Sequence, residues 1–482
     1  MAFVIARIVF LILAIVGLTF LLPIITAIIF GEIGVLPSFL IPMAASIVLG
    51  AVFFLAGRNR KSRLSTRASF VVVALAWVAA ALFGAIPYFV SGAIPKFTDA
   101  FFESMSGFTT TGATILSEIE GLAYTKSMNI WRCMTHWLGG MGIVALTVAL
   151  LPILGVGGFQ LIRAETTGPE KGKLTSKITT TAKILWFMYF GLTVLETVLL
   201  KIAGMSFYDA VCHALSTLGT GGFSTKNASI AAYNSPAIDW IITSFMFLAG
   251  INFSLYYSAF RGDFGTIRRN SELKAYLAIT IGASVLIGIF EAARYGGFFS
   301  SLRYSSFQSL TVISTAGFAT ADFTEWTNAS QAIILILFFI GGSAGSTGGG
   351  VKVIRWVVLG KIAHNEIQKL IHPRGIFAIT IDGQSHRKEI ASTVTSFFFI
   401  YLMLIFSTTF FGCLFNMDVL TSFTGALSMI GNIGPGFGKL GPSCNYGWLP
   451  AAVKWWYCFA MAAGRLEFFT MIIFLSPSFW KK

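Results

Sequence analysis

Apolar residues along this chain come in runs of about 20, the length that crosses a bilayer core roughly 30 Å thick. Ten such runs can be read: 8–30, 38–57, 69–91, 129–151, 183–203, 235–260, 274–293, an interrupted one at 330–360, 390–414 and 452–476. The first is too long for a signal-peptide core and lacks a small-residue cleavage site, so it is expected to stay as a helix.

A shorter pattern recurs between the runs: an amphipathic stretch of about ten residues leading into a Thr/Gly segment. The four copies are DAFFESMSGFTTTGAT (99–114), DAVCHALSTLGTGGFS (209–224), YSSFQSLTVISTAGFA (304–319) and TSFTGALSMIGNIGPG (421–436). Placing Gly112, Gly222, Gly317 and Gly434 in register aligns them without gaps. A second landmark then falls into register, WLGGMG, FLAGIN, FIGGSA and MAAGRL, with Gly140, Gly250, Gly342 and Gly464 matched. The repeat predicts four units of helix, re-entrant half-helix, glycine loop and helix. Their expected bounds are 68–162, 163–262, 263–375 and 376–482, after two extra N-terminal helices in 1–67. The fold class is therefore an all-α polytopic membrane protein with ten transmembrane helices around one central pore. Asp99, Asp209 and Asp418 stand where helix N-caps would lie, with Tyr304 at the third position. Non-helical backbone at membrane depth must be buried or line a water-filled path, so the four loops should meet on one axis. The half-helices would turn their negative C-terminal ends toward it, which favours a cation.

Composition agrees: 55% of residues are apolar, 11% are charged, and mean hydropathy is +0.78. Soluble domains carry about a quarter charged residues, so a soluble enzyme, a disordered chain and a nucleic-acid binder are excluded. The net charge of +14 at first suggests an anion partner. However, 24 of the 34 basic residues, with seven acidic ones, lie in Arg7, 58–67, 163–183, 261–274, 352–389 and the C-terminal lysines, giving +17 there and −3 elsewhere. That is the positive-inside pattern, with both termini cytoplasmic. The five cysteines show no paired or metal-ligand spacing, so neither a disulfide nor a zinc site is expected.

The loop residues are Thr110-Thr111-Gly112, Thr220-Gly221-Gly222, Thr315-Ala316-Gly317 and Asn432-Ile433-Gly434. They offer backbone carbonyls and a few hydroxyls, with no carboxylate, imidazole or amine. Rings of neutral carbonyls suit an alkali cation shedding its water, whereas acidic rings would suit divalent ions and basic ones an anion. The bland alternative is that these glycines only let helices pack closely.

GFTTTGAT, TGGFST, STAGF, GGSAGSTGGG and AAGRLE together resemble the K⁺-transporter superfamily that includes TrkH, TrkG and KtrB, over residue 68 to the end. The two extra helices fit the TrkH/TrkG branch. The resemblance implies potassium uptake across the bacterial inner membrane, with K⁺ as transported ion and no organic cofactor. It implies one filter glycine per loop at Gly112, Gly222, Gly317 and Gly434. It also implies a homodimer and a cytosolic TrkA-like nucleotide-binding subunit docked on segments such as 163–183 and 361–389, which otherwise read as solvated loops. Without a full filter motif in every loop, some Rb⁺ or Na⁺ passage is expected.

The glycine run at Gly341, Gly342, Ser343, Gly345, Gly348, Gly349 and Gly350 is incompatible with a helix interior, where each glycine costs about 1 kcal/mol against alanine. It can be read as a phosphate-binding nest, a close-packing kink, or a flexible intramembrane loop that blocks the path; the family resemblance supports the last. Arg465 lies inside an apolar run, at a cost of about 2.5–3.5 kcal/mol on insertion scales. Glu467, two residues on, does not share its helix face. Arg465 is either tied to neighbouring carbonyls for packing or, as its family counterpart implies, a barrier charge that anchors the 343–350 loop. Obligate Na⁺ or H⁺ coupling would need buried carboxylates, for which Glu103 and Glu196 are candidates unless they are structural partners. The five histidines show no metal-ligand spacing, and an enzyme is not expected.

Overall fold

The computed structural model describes residues 2–57, 65–142, 178–375, 377–382, 384–386 and 388–480. The basic segment 58–64 and most of 163–183, together with the end of the 129–151 run, lie outside the described residues. The chain opens with α1 (Ala2–Thr19), α2 (Leu21–Phe30) and α3 (Leu36–Ala56). Gly31 ends α2 at φ 73°, its N–H reaching the carbonyls of Ala27 and Ile28, as a left-handed C-cap does. The α1–α3 contact uses small residues: a Cβ on Gly50 would meet that of Ala14 at 2.8 Å.

A helix triplet then recurs. The first is α4 (Thr66–Val90), α5 (Phe97–Phe108) and α6 (Thr125–Gly140); the second is α7 (Ile178–Ile202), α8 (Phe207–Leu218) and α9 (Pro236–Ala249). Two short helices, α10 (Phe253–Phe260) and α11 (Phe264–Arg269), lead to the third, α12 (Ser271–Phe290), α13 (Phe298–Ile313) and α14 (Asn328–Leu337). After α15 (Val353–Ile371) and a small hairpin comes the fourth, α16 (Lys388–Leu414), α17 (Val419–Gly431) and α18 (Ala451–Arg465). The chain closes on α19 (Phe469–Ile472) and α20 (Pro477–Trp480). Among the described residues, six helical segments are long and apolar enough to cross a membrane, and a seventh if a bent pair counts as one. Their outer faces carry exposed side chains such as Phe187, Phe190 and Ile202, as lipid contact requires.

Three expectations need correction. The 235–260 run is not one helix: α9 and α10 meet at 93°. Gly250 caps α9 against the Tyr276 hydroxyl, and Asn252 starts α10 by accepting from the Ser254 N–H at 2.9 Å. The 452–476 run breaks after Arg465, because Glu467 and Phe468 both take left-handed backbone, φ 54° and 60°. Capping also differs. Asp418 caps α17, accepting from the Thr421 N–H at 2.9 Å, but Asp99 and Asp209 lie inside the first turns of α5 and α8, behind Lys96 and Ser206. Tyr304 sits mid-helix, because α13 starts six residues earlier, at Phe298, after Gly297.

Candidate ion-conduction site

The short helices α5, α8, α13 and α17 are buried along nearly their whole second half, and all four end in the same loop conformation. Two residues before each aligned glycine the backbone turns left-handed: Thr110 (φ 55°), Thr220 (53°), Thr315 (59°) and Asn432 (52°). The glycines turn left-handed too, at 75°, 81°, 75° and 101°. Asn tolerates this region, but a β-branched threonine is an outlier there, so these three threonines concentrate backbone strain in the loops. Each turn is closed by an N–H from the residue before the glycine to a carbonyl five residues back. These are Thr111 to Ser106 (2.9 Å), Gly221 to Ser216 (3.0 Å), Ala316 to Thr311 (2.8 Å) and Ile433 to Ser428 (2.9 Å).

The loops close into a ring. A Cβ on Gly112 would overlap the carbonyl oxygen of Gly221, and one on Gly222 that of Ala316. On Gly317 it would come 2.7 Å from the Ile433 oxygen, and on Gly434 2.7 Å from the Thr111 oxygen. Each glycine therefore lies against the carbonyl that precedes the next loop's glycine, and the fourth returns to the first. All four glycines line one cavity, with Arg132 and Tyr446 at its wall. The twelve loop residues named from the sequence are thus brought together. Carbonyl oxygens packed this way around an axis can replace the hydration shell of an alkali cation.

A hydroxyl stands six residues before every aligned glycine (Ser106, Ser216, Thr311 and Ser428), a regularity visible in the repeats but not singled out in them. Ser428 Oγ donates to the Gly434 carbonyl at 2.7 Å, and Thr311 Oγ1 to that of Phe318 at 2.9 Å. Tyr446 also donates to Gly434 O, at 2.6 Å. In the fourth loop the Asn432 amide donates to Thr111 Oγ1 and to the Met461 carbonyl, both at 3.0 Å.

Glu103 on α5 forms a fully buried ion pair with Arg132 of α6, Nε to Oε1 at 2.8 Å. The same carboxylate accepts from Thr114 Oγ1 and the Ile115 N–H, and Arg132 reaches the Ser224 carbonyl of the second loop at 3.3 Å. Arg132 is a fully buried cation that sequence reasoning passed over, although its place in the apolar 129–151 run was a sufficient signal. Glu196 is fully buried on α7, close to Thr217 of α8. At the rim of the cavity, Lys226 pairs with Glu120 at 2.9 Å; the ammonium holds that carboxyl below its usual range, and Glu120 raises the Lys226 amine.

The 341–350 loop lies between α14 and α15, directly against the ring. Gly349 N–H donates to Thr315 Oγ1 at 2.7 Å, and a Cβ on Gly349 would come 2.7 Å from the Gly431 carbonyl. The Ser343 N–H donates to Gly250 O at 2.9 Å, and Gly345 O accepts from the Phe253 N–H at 3.0 Å, which seats the loop in the α9–α10 bend. Two cations hold three successive carbonyls. Arg465 donates to Thr347 O at 2.9 Å, and also to Gly139 O (2.6 Å) and Gly140 O (3.0 Å) at the end of α6. Lys352, 1% exposed, donates to the carbonyls of Gly348 and Gly349. Glu467 pairs with Arg355 at 2.6 Å. Lys352 was missed as a loop partner because it reads as the first charge past a glycine run.

Comparison with known proteins gives concordant results. The TrkH family model, described as a cation transport protein, matches residues 35–281 and 300–482. The chain is 38% identical to the Trk system potassium uptake protein TrkH of Halomonas elongata and 34% to that of Escherichia coli, in both cases over 99% of each chain. It is 34% identical to the E. coli potassium uptake protein TrkG, over 87% of this chain and 86% of that one. The crystal structure of the potassium transporter TrkH from Vibrio parahaemolyticus superposes with a TM-score of 0.88 at 33% identity, covering 99% of both chains. With the ring of loops, the repeated helix triplets and matches along its whole length, the chain belongs to the TrkH family of cation transport proteins.

Proposed function

We propose that this chain takes up potassium across the bacterial inner membrane, both termini cytoplasmic, through a carbonyl-lined, gated, channel-like pore. The ring carries the reading: four glycines, each with no room for a side chain beside the next loop's carbonyl. Relatives aligned over their full length are named for potassium uptake, which supports K⁺ as the transported ion. In this reading residues 110–112, 220–222, 315–317 and 432–434 bind K⁺. Residues 341–350 and Arg465 form the gate, and a cytosolic TrkA-like nucleotide-binding subunit drives it in a homodimeric assembly. The unequal loops admit some Rb⁺ and Na⁺.

Coupled symport is the second reading. Glu103 is committed to Arg132, which leaves the buried Glu196 as its candidate carboxylate. Flux into proteoliposomes, with Na⁺ and pH gradients varied independently, separates the two. The central claim is tested by Gly222→Ala, whose Cβ would overlap the Ala316 oxygen. K⁺ flux should collapse in that variant, and wild-type flux in it would reject the ring as the filter.

A further inference from the structure

One connected set of polar contacts is not used by the pore itself. It begins at the hairpin of β1 (Ile379–Ile381) and β2 (Gln384–His386), which pair antiparallel. Asp382, left-handed at φ 50° and exposed, follows β1 and directs its carboxylate at the start of α12. Its Oδ1 accepts from the Ser271 N–H and hydroxyl, both at 2.7 Å, and its Oδ2 from Asn270 Nδ2 at 3.3 Å. A helix N-terminus, with orphan N–H groups and a positive dipole end, is a natural seat for a carboxylate.

The next residue, Glu272, is 5% exposed. Its Oε1 accepts from the Ala344 N–H at 2.7 Å and from the Ile354 N–H at 3.0 Å. Ala344 is inside the glycine loop and Ile354 is in the first turn of α15, so one carboxylate oxygen ties the loop to the helix that follows it. An apolar cluster follows the same route. Ile381 of the hairpin is buried with Ile354, Val358 and Val394, and Ala344 packs against them. Ser271 and Glu272 are neighbours in one helical turn, so that turn cannot shift while both sets of bonds stay intact.

We infer that Asp382 and Glu272 form a relay that delivers a displacement of the β1–β2 hairpin to the 341–350 loop, through Ala344 and through the first turn of α15. This rests on the reading of that loop as the gate. Both are positioning residues, remote from the transported ion.

The test uses the full-length protein with Asp382→Ala, Asp382→Asn and Glu272→Gln. Rb⁺ flux in proteoliposomes is read beside hydrogen exchange of peptides spanning 341–354 and 104–114. Losing a hydrogen bond to a charged group should raise exchange across 341–354 on the order of tenfold in Asp382→Ala. Basal Rb⁺ flux should change with it, while the 104–114 peptide and the K⁺/Na⁺ flux ratio stay put. Asp382→Asn, which keeps an acceptor, should restore most of the protection. Unchanged exchange at 341–354 in both Asp382→Ala and Glu272→Gln overturns the relay, as does an equal rise in the 104–114 peptide. Faster loop exchange with no K⁺ or Rb⁺ flux in wild type would leave the relay standing and reject the conduit reading.

Discussion

The Arg465 guanidinium donates to the Thr347 carbonyl at 2.9 Å and to the Gly139 carbonyl at 2.6 Å, joining the glycine loop to the end of a helix that lies 326 residues before the arginine itself. One planar fork reaches both because its donors are rigidly arranged; a lysine ammonium lacks that geometry. Arg465→Ala should therefore free the loop and raise K⁺ flux, with Arg465→Lys between it and wild type. Steady-state flux in proteoliposomes is the measurement, and equal rates for all three would remove Arg465 from the gate.

The ring gives a position-specific prediction. Gly317→Ala puts a Cβ about 2.7 Å from the Ile433 oxygen and asks alanine to adopt φ 75°. Gly360→Ala, on α15, meets nothing within 4 Å at an ordinary φ. The first should abolish selective K⁺ flux, and the second should leave it unchanged, with helix stability rising slightly since alanine is the better helix former. Similar flux from both variants would count against a filter at Gly317.

Much of this arrangement is legible in the sequence because it repeats. The Thr/Gly loops and the second set of glycines align by register alone, and two of those glycines stand where backbone from another unit comes close, Gly140 against Gly219 and Gly342 against Gly250. What stays hidden is set by contacts far apart in the chain. The 93° bend at Gly250 is seated against the Tyr276 hydroxyl, which takes the space of a side chain there, and the continuous apolar pattern of the 235–260 run conceals it. The early start of α13 is masked by its polar opening, Ser300, Ser301 and Arg303, which breaks the apolar pattern. Lys352 and Arg132 look like isolated charges until Gly348, Gly349 and Glu103 fold onto them.

Lys352 should behave as a second lock on the loop. Lys352→Met keeps most of the stem's volume but removes the donor to Gly348 and Gly349. Two carbonyls would then lose a charged partner beside the ring, and basal flux should rise. Combined with Arg465→Ala, the effect should exceed either change alone, because both cations hold one loop. Loss of folded protein instead of raised flux would make Lys352 a purely structural anchor.

The Glu103–Arg132 pair behind the first loop predicts an asymmetric stability series. Both side chains are fully buried, and together they fix Thr114, Ile115 and the Ser224 carbonyl. Removing one partner leaves an uncompensated buried charge, at a cost of about 3–5 kcal/mol. Glu103→Gln and Arg132→Met should each lower the thermal midpoint of the purified protein sharply. The double variant should recover part of the loss, since it leaves no buried ion. Coupled symport places its carboxylate at Glu196 instead, so any proton- or Na⁺-dependence of flux would vanish in Glu196→Gln and survive in Glu103→Gln. An unchanged midpoint in Glu103→Gln would remove the pair as a prop of the first loop, and gradient dependence lost in that variant would overturn its assignment as a purely structural partner of Arg132.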